Sequence, residues 1–214
     1  NDLLRTRLVA PGDGWLSEES ENDPARLGAR RIWIVDPIDG TRAFMAGRED
    51  WSVSVALVEA GRPVVAALFA PATDEMFVAV AGGGATRNGA PIRANMGGGL
   101  DGARIGGPKR MLDRMALQVP PIVPMPRVHS LALRFARVAD GALDVAIAGG
   151  NSHDWDLAAA DLLVHEAGGV MTALDGRVPI YNQPEPAHGI LIAGGRGRYA
   201  AVIDLIRTQT NGLA

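Results

Sequence analysis

The fold of this chain is constrained most by one continuous run, Arg31-Ile32-Trp33-Ile34-Val35-Asp36-Pro37-Ile38-Asp39-Gly40-Thr41. Its four consecutive apolar residues, β-branched or aromatic, follow two arginines and predict a buried strand. Pro37 disfavours helical backbone at Asp36 and keeps that residue extended. The Asp39-Gly40 pair then permits a sharp turn, after which Thr41 can begin a helix. The run therefore predicts a strand, a turn and a helix start in immediate succession.

The polar groups of this turn suit a metal ion and a phosphate group. Asp36 and Asp39 stand at the mouth of the strand with only two residues between them, and the turn exposes the carbonyl of Ile38. Carboxylate and carbonyl oxygens are the ligands that Mg²⁺ prefers. The N–H groups of Gly40 and Thr41 stand at a helix start, which favours an anion. The alternative interpretation is an ordinary strand that ends in an Asp-Gly turn.

Composition excludes several classes of chemistry. The 214 residues suit one domain or two closely fused ones, and 47% of them are hydrophobic, which is ample for a core. Without cysteine, the chain has no disulfide, no thiolate nucleophile and no zinc–thiolate site. A net charge of −3 disfavours a nucleic-acid polymer as partner, and the single lysine, Lys109, disfavours Schiff-base chemistry.

Targeting features are few. No apolar run approaches the length of a membrane span, and no secretory signal is visible, so we expect a cytoplasmic protein without a membrane partner. The chain begins at Asn1 rather than at methionine, and its first residues read as the middle of a helix. We therefore expect the natural N-terminus to lie upstream.

The first half of the chain predicts an antiparallel sheet. Period-two alternation from Trp51 to Val58 indicates a strand, and two further strands follow at Pro63–Phe69 and Met76–Val80. Asn88-Gly89, between short extended segments, is a strong hairpin signal. The glycine-rich stretch 97–102 lacks the Gly-Lys-Ser/Thr of a phosphate-binding loop, so a surface loop is the favoured interpretation.

From Ala103 onward, predicted helices alternate with predicted strands, as in a sheet covered by helices. Ser130 can cap a helix that runs to Ala139, and further helices are predicted at Trp155–Ala167 and Arg196–Thr208. An extended segment is predicted at Pro120–Pro126. We place a junction near residues 107–110. It divides an N-terminal α+β part, 1–108, which carries most of the candidate metal ligands, from a C-terminal α/β part, 109–214, within one catalytic unit.

Two other groups of acids have both structural and functional interpretations. Asp154 and Asp156 open a helix, where an acid commonly caps the first turn. Small residues after Asp156 would let that helix pack tightly on a sheet and hold the carboxylate at the sheet edge. Glu18-Glu19 follows a short strand and can be a solvated pair or a second contribution to the site.

Taken together, these clusters resemble the inositol monophosphatase family over nearly the whole chain. The resemblance is carried by Ser17-Glu18-Glu19-Ser20, Trp33-Ile34-Val35-Asp36-Pro37-Ile38-Asp39-Gly40-Thr41, Gly84-Ala85, Asn88-Gly89, Trp155-Asp156-Leu157-Ala158-Ala159 and Glu166-Ala167-Gly168-Gly169. The order and approximate spacing of these motifs also match. The fold implied is α/β (α+β), a layered αβαβα sandwich of the inositol monophosphatase and fructose bisphosphatase type.

The resemblance implies a Mg²⁺-dependent phosphomonoesterase with two or three Mg²⁺ per site, replaceable by Mn²⁺ and inhibited by Li⁺. Glu18, Asp36 and the Ile38 carbonyl would hold one ion, and Asp36, Asp39 and Asp156 a second. Thr41 with Glu18 would orient the attacking water, while Asp39 and the N–H groups of Gly40 and Thr41 would hold the phosphate. A homodimer is also implied. In the family an upstream aspartate pairs with the residue equivalent to Thr41, and this sequence begins after that point.

The branch of the family is predicted from shorter matches. Arg42-Ala43-Phe44, Gly47-Arg48-Glu49-Asp50-Trp51 and Tyr181-Asn182-Gln183 resemble the 3′(2′),5′-bisphosphate nucleotidase branch. They imply that the substrate is adenosine 3′,5′-bisphosphate, cleaved at its 3′-phosphate. We expect the rim of the substrate site to be formed by Arg42, His129, Ser130 and Asp154. The alternatives are inositol 1-phosphate, or another polyol or amino-alcohol phosphate such as histidinol phosphate. A non-catalytic metal-binding scaffold of the same fold is the interpretation from a different class.

Overall fold

A computed structural model describes residues 1–118 and 122–211. The helices are α1 Asp2–Leu8, α2 Thr41–Met45, α3 Lys109–Gln118, α4 Leu131–Ala139, α5 Asp154–Glu166 and α6 Arg196–Asn211, with a 3-10 helix at Pro24–Gly28. The strands of the first half are β1 Gly14–Ser17, β2 Arg31–Asp39, β3 Ser52–Glu59, β4 Arg62–Ala70, β5 Glu75–Val80, β6 Gly84–Arg87 and β7 Ala90–Pro91. Those of the second half are β8 Arg104–Gly106, β9 Val123–Pro124, β10 Val145–Ala148, β11 Ser152–His153, β12 Gly169–Ala173, β13 Ala187–His188 and β14 Leu191–Gly195. The start of the predicted extended segment at Pro120 lies outside the described residues.

The first sheet joins β1 to β7 in sequence order. Every neighbouring pair is antiparallel except β1 and β2, which are parallel, so the predicted antiparallel sheet is confirmed apart from its first strand. The hairpin at Asn88-Gly89 is confirmed, with positive φ angles of 50° and 77° that suit these two residue types. Because β1 and β2 run parallel and Ser17 pairs with Val35, Glu18 and Asp36 follow at the same end of the two strands.

The inner face of β3 carries small side chains over its first half, with Val58 as the large side chain farther along. Ser52, Ser54 and Ala56 are at most 1% exposed, whereas Val53 and Val55 on the opposite face are half-buried. Helix α5 packs against this inner face, and the hydroxyl of Ser54 donates a hydrogen bond to the carbonyl of Trp155 at 3.1 Å. The small residues thus let α5 approach the sheet closely, which brings the first turn of that helix to the end of β2.

The second sheet has the strand order β12-β14-β10-β8-β9. Helices α4 and α5 lie between the two sheets within one hydrophobic core. Residues of α3 and α6 form a second core on the other side, where Leu112, Met115 and Val202 pack with Ile105 and Ile147. The layers therefore follow one another as sheet, helix pair, sheet and helix pair. The second sheet begins at Arg104, a few residues before the proposed junction between 1–108 and 109–214. Across the described ranges, no helix combines the length and apolar character that a membrane span needs.

Candidate metal and phosphate site

Three carboxylates from distant parts of the chain converge where β2 ends and α5 begins. Asp36, Asp39 and Asp156 each offer an oxygen within 4.8 Å of the others. The first two come from the end of β2, and Asp156 comes from the first turn of α5. The structure therefore brings together the acids that the sequence assigned to the second metal ion.

Asp36 lies deepest in this cluster. Its side chain is 1% exposed, and one carboxylate oxygen accepts a hydrogen bond from the Ile38 N–H at 2.9 Å. Burial, followed by the negative charges of Asp39 and Glu18, raises the pKa of Asp36 to about 9. Such a carboxyl group ionises at neutral pH only if a cation compensates its charge.

Asp39 ties the end of β2 to the start of α4. Its carboxylate accepts hydrogen bonds from the Ser130 hydroxyl at 2.6 Å, the Ala132 N–H at 2.7 Å and the Leu131 N–H at 3.1 Å. Burial and the charge of Asp156 raise the pKa of Asp39 to about 7, although these hydrogen bonds oppose the shift. Asp39 is therefore held rigidly by a helix N-terminus and still contributes an oxygen to the cluster.

Asp156 combines both of its predicted roles. One oxygen caps its own helix by accepting the His153 N–H at 2.7 Å, and the side chain also belongs to the three-acid cluster. Burial raises the pKa of Asp156 to about 6, and the charge of Glu18 adds to the shift while the capping hydrogen bond opposes it. The cap sets the direction of the carboxylate, so the structural and functional interpretations are compatible.

Glu18 and Thr41 lie at the exposed side of the cluster. Glu18 is not one of the three acids whose oxygens lie within 4.8 Å of one another. Burial is the largest cause of the raised pKa values of Asp36 and Asp156, and the charge of Glu18 adds to both shifts. Thr41 is exposed, and its hydroxyl donates to the Ile38 carbonyl at 3.1 Å. The roles of Glu18, Ile38 and Thr41 at the first metal and the water remain predictions, since the structure shows only that they border the cluster.

Gly40 is required by the local backbone and by close packing. Its φ is 88°, in the left-handed region, and a Cβ placed there would lie 2.9 Å from the Ser130 nitrogen and 3.2 Å from the Asp50 carbonyl oxygen. The turn that carries the predicted phosphate-binding N–H groups is thus pressed directly against the segment that precedes α4.

A cavity of about 680 Å³ opens beside the cluster and contains both acidic and basic groups. Asp39 and Asp156 line its acidic end. Its other polar residues are Lys109, Arg110, Asp113, Arg127, His129, Arg134, Asn151 and Ser152. This combination suits a ligand that places one phosphate at the metal cluster and a second anionic group farther along the wall.

The four predicted rim residues have different surroundings. His129 lines the cavity, whereas Ser130 is fully buried and its hydroxyl is bonded to Asp39. Arg42 is exposed on α2 and is not among the described residues that line this cavity. Asp154 is 1% exposed, and its carboxylate accepts hydrogen bonds from the Asn182 N–H and the His188 ring, both at 2.7 Å. His129 therefore lies on the cavity wall, whereas the side chains of Ser130 and Asp154 are engaged in buried hydrogen bonds, and the roles of all four residues toward a substrate stay predictions.

Several cavity residues were not identified from the sequence. Lys109 and Arg110 begin α3, Arg127 precedes α4, and Arg134 lies within α4. Arg134 is 8% exposed, and its guanidinium donates to the carbonyls of Val128 and Ile147. In sequence, Arg134 is one of two arginines in an otherwise apolar helix, which is a weak signal, and the other three look like ordinary surface cations.

The cluster fits a divalent cation. Three hard oxygen donors lie within reach of one ion, and no thiolate or imidazole completes the set among the described residues. The pKa of each acid is raised, first by burial and then by the negative charges of neighbouring carboxylates. A bound divalent ion would relieve both the repulsion and the cost of burying these carboxylates.

We expect the stability of the metal-free protein to fall as pH rises. The pKa values of Asp156, Asp39 and Asp36 are raised from 3.8 to about 6, 7 and 9, so the folded state holds more protons than the unfolded state between these limits. The contribution of these protons to the free energy of unfolding is complete below the unfolded-state pKa. It is lost as pH rises through the folded-state pKa values. Thermal unfolding in chelator should give a Tm several degrees lower at about pH 8.5 than at about pH 5.5, and saturating Mg²⁺ should reduce the difference. An equal slope in the Asp36→Asn variant would contradict this assignment.

The fold and the site together define a metal-dependent phosphatase. The chain belongs to the inositol monophosphatase family, whose model matches residues 2–210. It is 36% identical to the inositol-1-monophosphatase of Rhizobium meliloti (strain 1021) over 184 residues, which are 82% of this chain and 67% of that protein. It is also 36% identical to the 3′-phosphoadenosine 5′-phosphate phosphatase of Mycobacterium leprae (strain TN) over 197 residues, or 87% of this chain and 71% of that protein.

A solved structure supports the same assignment. The extragenic suppressor protein suhB of Bartonella henselae aligns with a TM-score of 0.79 and 32% identity over 97% of this chain and 83% of that one. The predicted family and fold class are therefore confirmed. Because proteins named for different substrates are similarly related to this chain, the family match by itself does not choose among those substrates.

Proposed function

We propose that this phosphatase uses Mg²⁺ and hydrolyses adenosine 3′,5′-bisphosphate at its 3′-phosphate. The proposal rests on one cavity. It is lined by the acids Asp39 and Asp156 and also by the cations Arg110, Arg127 and Arg134. An acidic end suits a metal-bound phosphate, and guanidinium groups suit a second phosphate. The bisphosphate provides both.

In the proposed mechanism, Glu18, Asp36 and the Ile38 carbonyl would hold one metal ion, and Asp36, Asp39 and Asp156 would hold a second. When bound, Mg²⁺ lowers the pKa of a ligated water and compensates the charge that develops on the phosphoryl oxygens. The protein's own contribution is to hold these oxygens in fixed positions. The hydrogen bonds from Ser130, Leu131 and Ala132 do this for Asp39, and the capping bond from His153 does it for Asp156.

The turn after β2 positions the reacting groups. Thr41 and Glu18 orient the attacking water, and the N–H groups of Gly40 and Thr41 bind phosphate oxygens at the start of α2. Gly40 cannot be exchanged there without moving the Asp50 and Ser130 backbone, since a Cβ would contact both. The turn is therefore held in place by its neighbours before the substrate arrives, which lowers the cost of ordering it during the reaction.

The far wall of the cavity favours an anion over a polyol. Inositol hydroxyls need an acid as acceptor, and the loop Gly149-Gly150-Asn151-Ser152 that lines the cavity carries none. Asp113 does line the cavity, but its carboxylate accepts hydrogen bonds from Lys109 at 2.9 and 3.0 Å. Arg110 and Arg127 form no hydrogen bond or ion pair with the other residues that the structure describes. Their guanidinium N–H groups are therefore available to a second phosphate.

We expect kcat/KM for adenosine 3′,5′-bisphosphate to exceed that for inositol 1-phosphate by at least about tenfold, the effect of roughly one charge-assisted hydrogen bond. The measurement is Mg²⁺-dependent phosphate release from a panel that also contains histidinol phosphate. Arg127→Gln should reduce kcat/KM for the bisphosphate while changing that for inositol 1-phosphate little. The matched control is Arg114→Gln, because Arg114 is exposed on α3 and does not line the cavity.

Each other outcome of this panel identifies an alternative. Preference for inositol 1-phosphate or histidinol phosphate would contradict the branch assignment and leave the metal chemistry in place. Absence of phosphate release from every ester would favour the metal-binding scaffold. The homodimer implied by the family resemblance is part of the same proposal, and light scattering of the purified chain tests it.

A further inference from the structure

The side chain of His129 is held by Asp50 in a way that the family motifs do not anticipate. One oxygen of the Asp50 carboxylate lies 2.6 Å from His129 Nδ1 and accepts the His129 backbone N–H at 2.8 Å. The other oxygen accepts the Arg48 Nε–H at 2.9 Å. Although burial acts in the opposite direction, the hydrogen bonds from His129 and Arg48 lower the pKa of Asp50 to about 2.

This arrangement determines which ring nitrogen is available. An ionised carboxylate can only accept, so Nδ1 carries a hydrogen and donates it to Asp50. The other ring nitrogen, Nε2, has no partner among the residues that the structure describes. A ring that carries a hydrogen on both nitrogens would donate from Nε2 while Nδ1 stays bonded to Asp50.

The backbone around His129 is fixed from three directions. The carbonyl of the preceding residue, Val128, accepts the Arg134 guanidinium at 2.6 Å, and the N–H of Ser130 donates to the Asp50 carbonyl at 3.0 Å. The same Ser130 nitrogen is the atom closest to a Cβ built on Gly40. The pair of His129 and Asp50 therefore adjoins the turn that is proposed to bind phosphate.

His129 also lines the cavity that contains Asp39 and Asp156. Its side chain is 24% exposed, so water or a ligand can reach the ring while Asp50 restrains it. Charged residues around it include its partner Asp50, Arg48 on the same carboxylate, and Arg127, Arg134, Asp39 and Asp156 on the cavity wall. The cavity therefore gives the free nitrogen and the acids Asp39 and Asp156 one shared space for a substrate.

We propose that His129 is a catalytic residue that donates the Nε2 proton to the leaving oxygen, with Asp50 as its positioning residue. The inference rests on the proposed phosphatase function. As water forms a new bond to phosphorus, the bond from phosphorus to the leaving oxygen breaks and its electron pair stays on that oxygen. The Nε2 proton neutralises this oxygen, the attacking water releases a proton to solvent, and the neutral ring later regains one from solvent.

The test compares two leaving groups in one protein. An alkyl phosphate has a basic leaving oxygen that needs a proton, whereas p-nitrophenyl phosphate releases a phenolate that needs little assistance. His129→Gln should lower kcat/KM for the alkyl ester by about 100-fold, as expected for loss of a general acid. The loss of kcat/KM for p-nitrophenyl phosphate should be no more than about 10-fold. Asp50→Asn should show the same selectivity with a smaller loss.

The control is His165→Gln, since His165 is exposed on α5 and lies outside the cavity lining. It should alter neither ester, and Tm should confirm that all variants fold. Equal losses on both esters would assign His129 a structural or binding role and overturn the proposal, as would unchanged rates on both. A wild-type chain that hydrolyses neither ester would instead contradict the proposed function, so the two failures are distinguishable.

Discussion

Replacing Asp36 with asparagine should reduce kcat/KM for any phosphomonoester by at least about 1,000-fold, which corresponds to the several kcal/mol that metal-ion catalysis supplies. Asp36 is the most buried acid of the cluster, and the family resemblance implies that it would contribute to both metal sites. The pKa of Asp36 is raised to about 9, so the metal-free protein holds a neutral carboxyl group at pH 7. Asparagine resembles that neutral group in size and shape. We therefore expect the variant to fold with nearly unchanged Tm at neutral pH in chelator.

The matched control is Asp175→Asn, because Asp175 is exposed, is remote in sequence from the cluster, and pairs only with Arg177 among the described residues. This variant should keep wild-type kinetics. Steady-state assays of both purified proteins at saturating Mg²⁺ provide the comparison. Near-normal turnover by the Asp36 variant would remove the basis for the two-metal assignment.

Removal of divalent metal should abolish activity to a similar extent. All proposed ligands are hard oxygens, so Mg²⁺ or Mn²⁺ should restore phosphate release after treatment with chelator. Ca²⁺ should bind and compete, yet support little turnover, because its longer and more variable ligand distances misplace the attacking water. We expect the chelated enzyme to retain less than about 1% of its rate, on the scale of metal-ion catalysis. The family resemblance also implies inhibition by Li⁺ in the same assay.

The addition of each metal in turn to one chelated sample gives a direct comparison. Zn²⁺ is an informative control, since it binds oxygen ligands but prefers nitrogen and sulfur donors that this cluster lacks. Full activity in excess chelator would show that water is activated by other means.

The parts of this structure that could be predicted from sequence depend on short-range signals. The strand through Ile32 and Val35, the turn at Gly40 and the hairpin at Asn88-Gly89 follow from residue type and local backbone preference. The position of Asp36 and Asp39 at a strand end follows in the same way. Their meeting with Asp156 did not follow from spacing, because it depends on how α5 packs on the sheet; the family resemblance supplied that expectation.

Other features required the tertiary structure. In the first half of β3 the large side chains do not mark the core face, because α5 packs closely against Ser52, Ser54 and Ala56. Ser130 was expected at the rim, but its hydroxyl faces Asp39 because both cap the same helix end. Arg127 lines the cavity, whereas Arg42 does not. The local sequence around these two arginines does not predict this difference. The contact of Asp50 with His129 joins residues that are 79 positions apart.

We propose above that Asp36, Asp39 and Asp156 hold divalent ions that the reaction requires. Calorimetric titration of metal-free protein with Mn²⁺, run in parallel with phosphate release at each metal concentration, tests this directly. We expect at least two ions per chain, proton release on binding because the pKa values of the three acids are raised, and a rate that follows occupancy. In Asp36→Asn, binding at the cluster should weaken and the rate should be lost together. Unchanged Mn²⁺ binding in that variant, or a rate independent of occupancy in the wild type, would contradict the assignment.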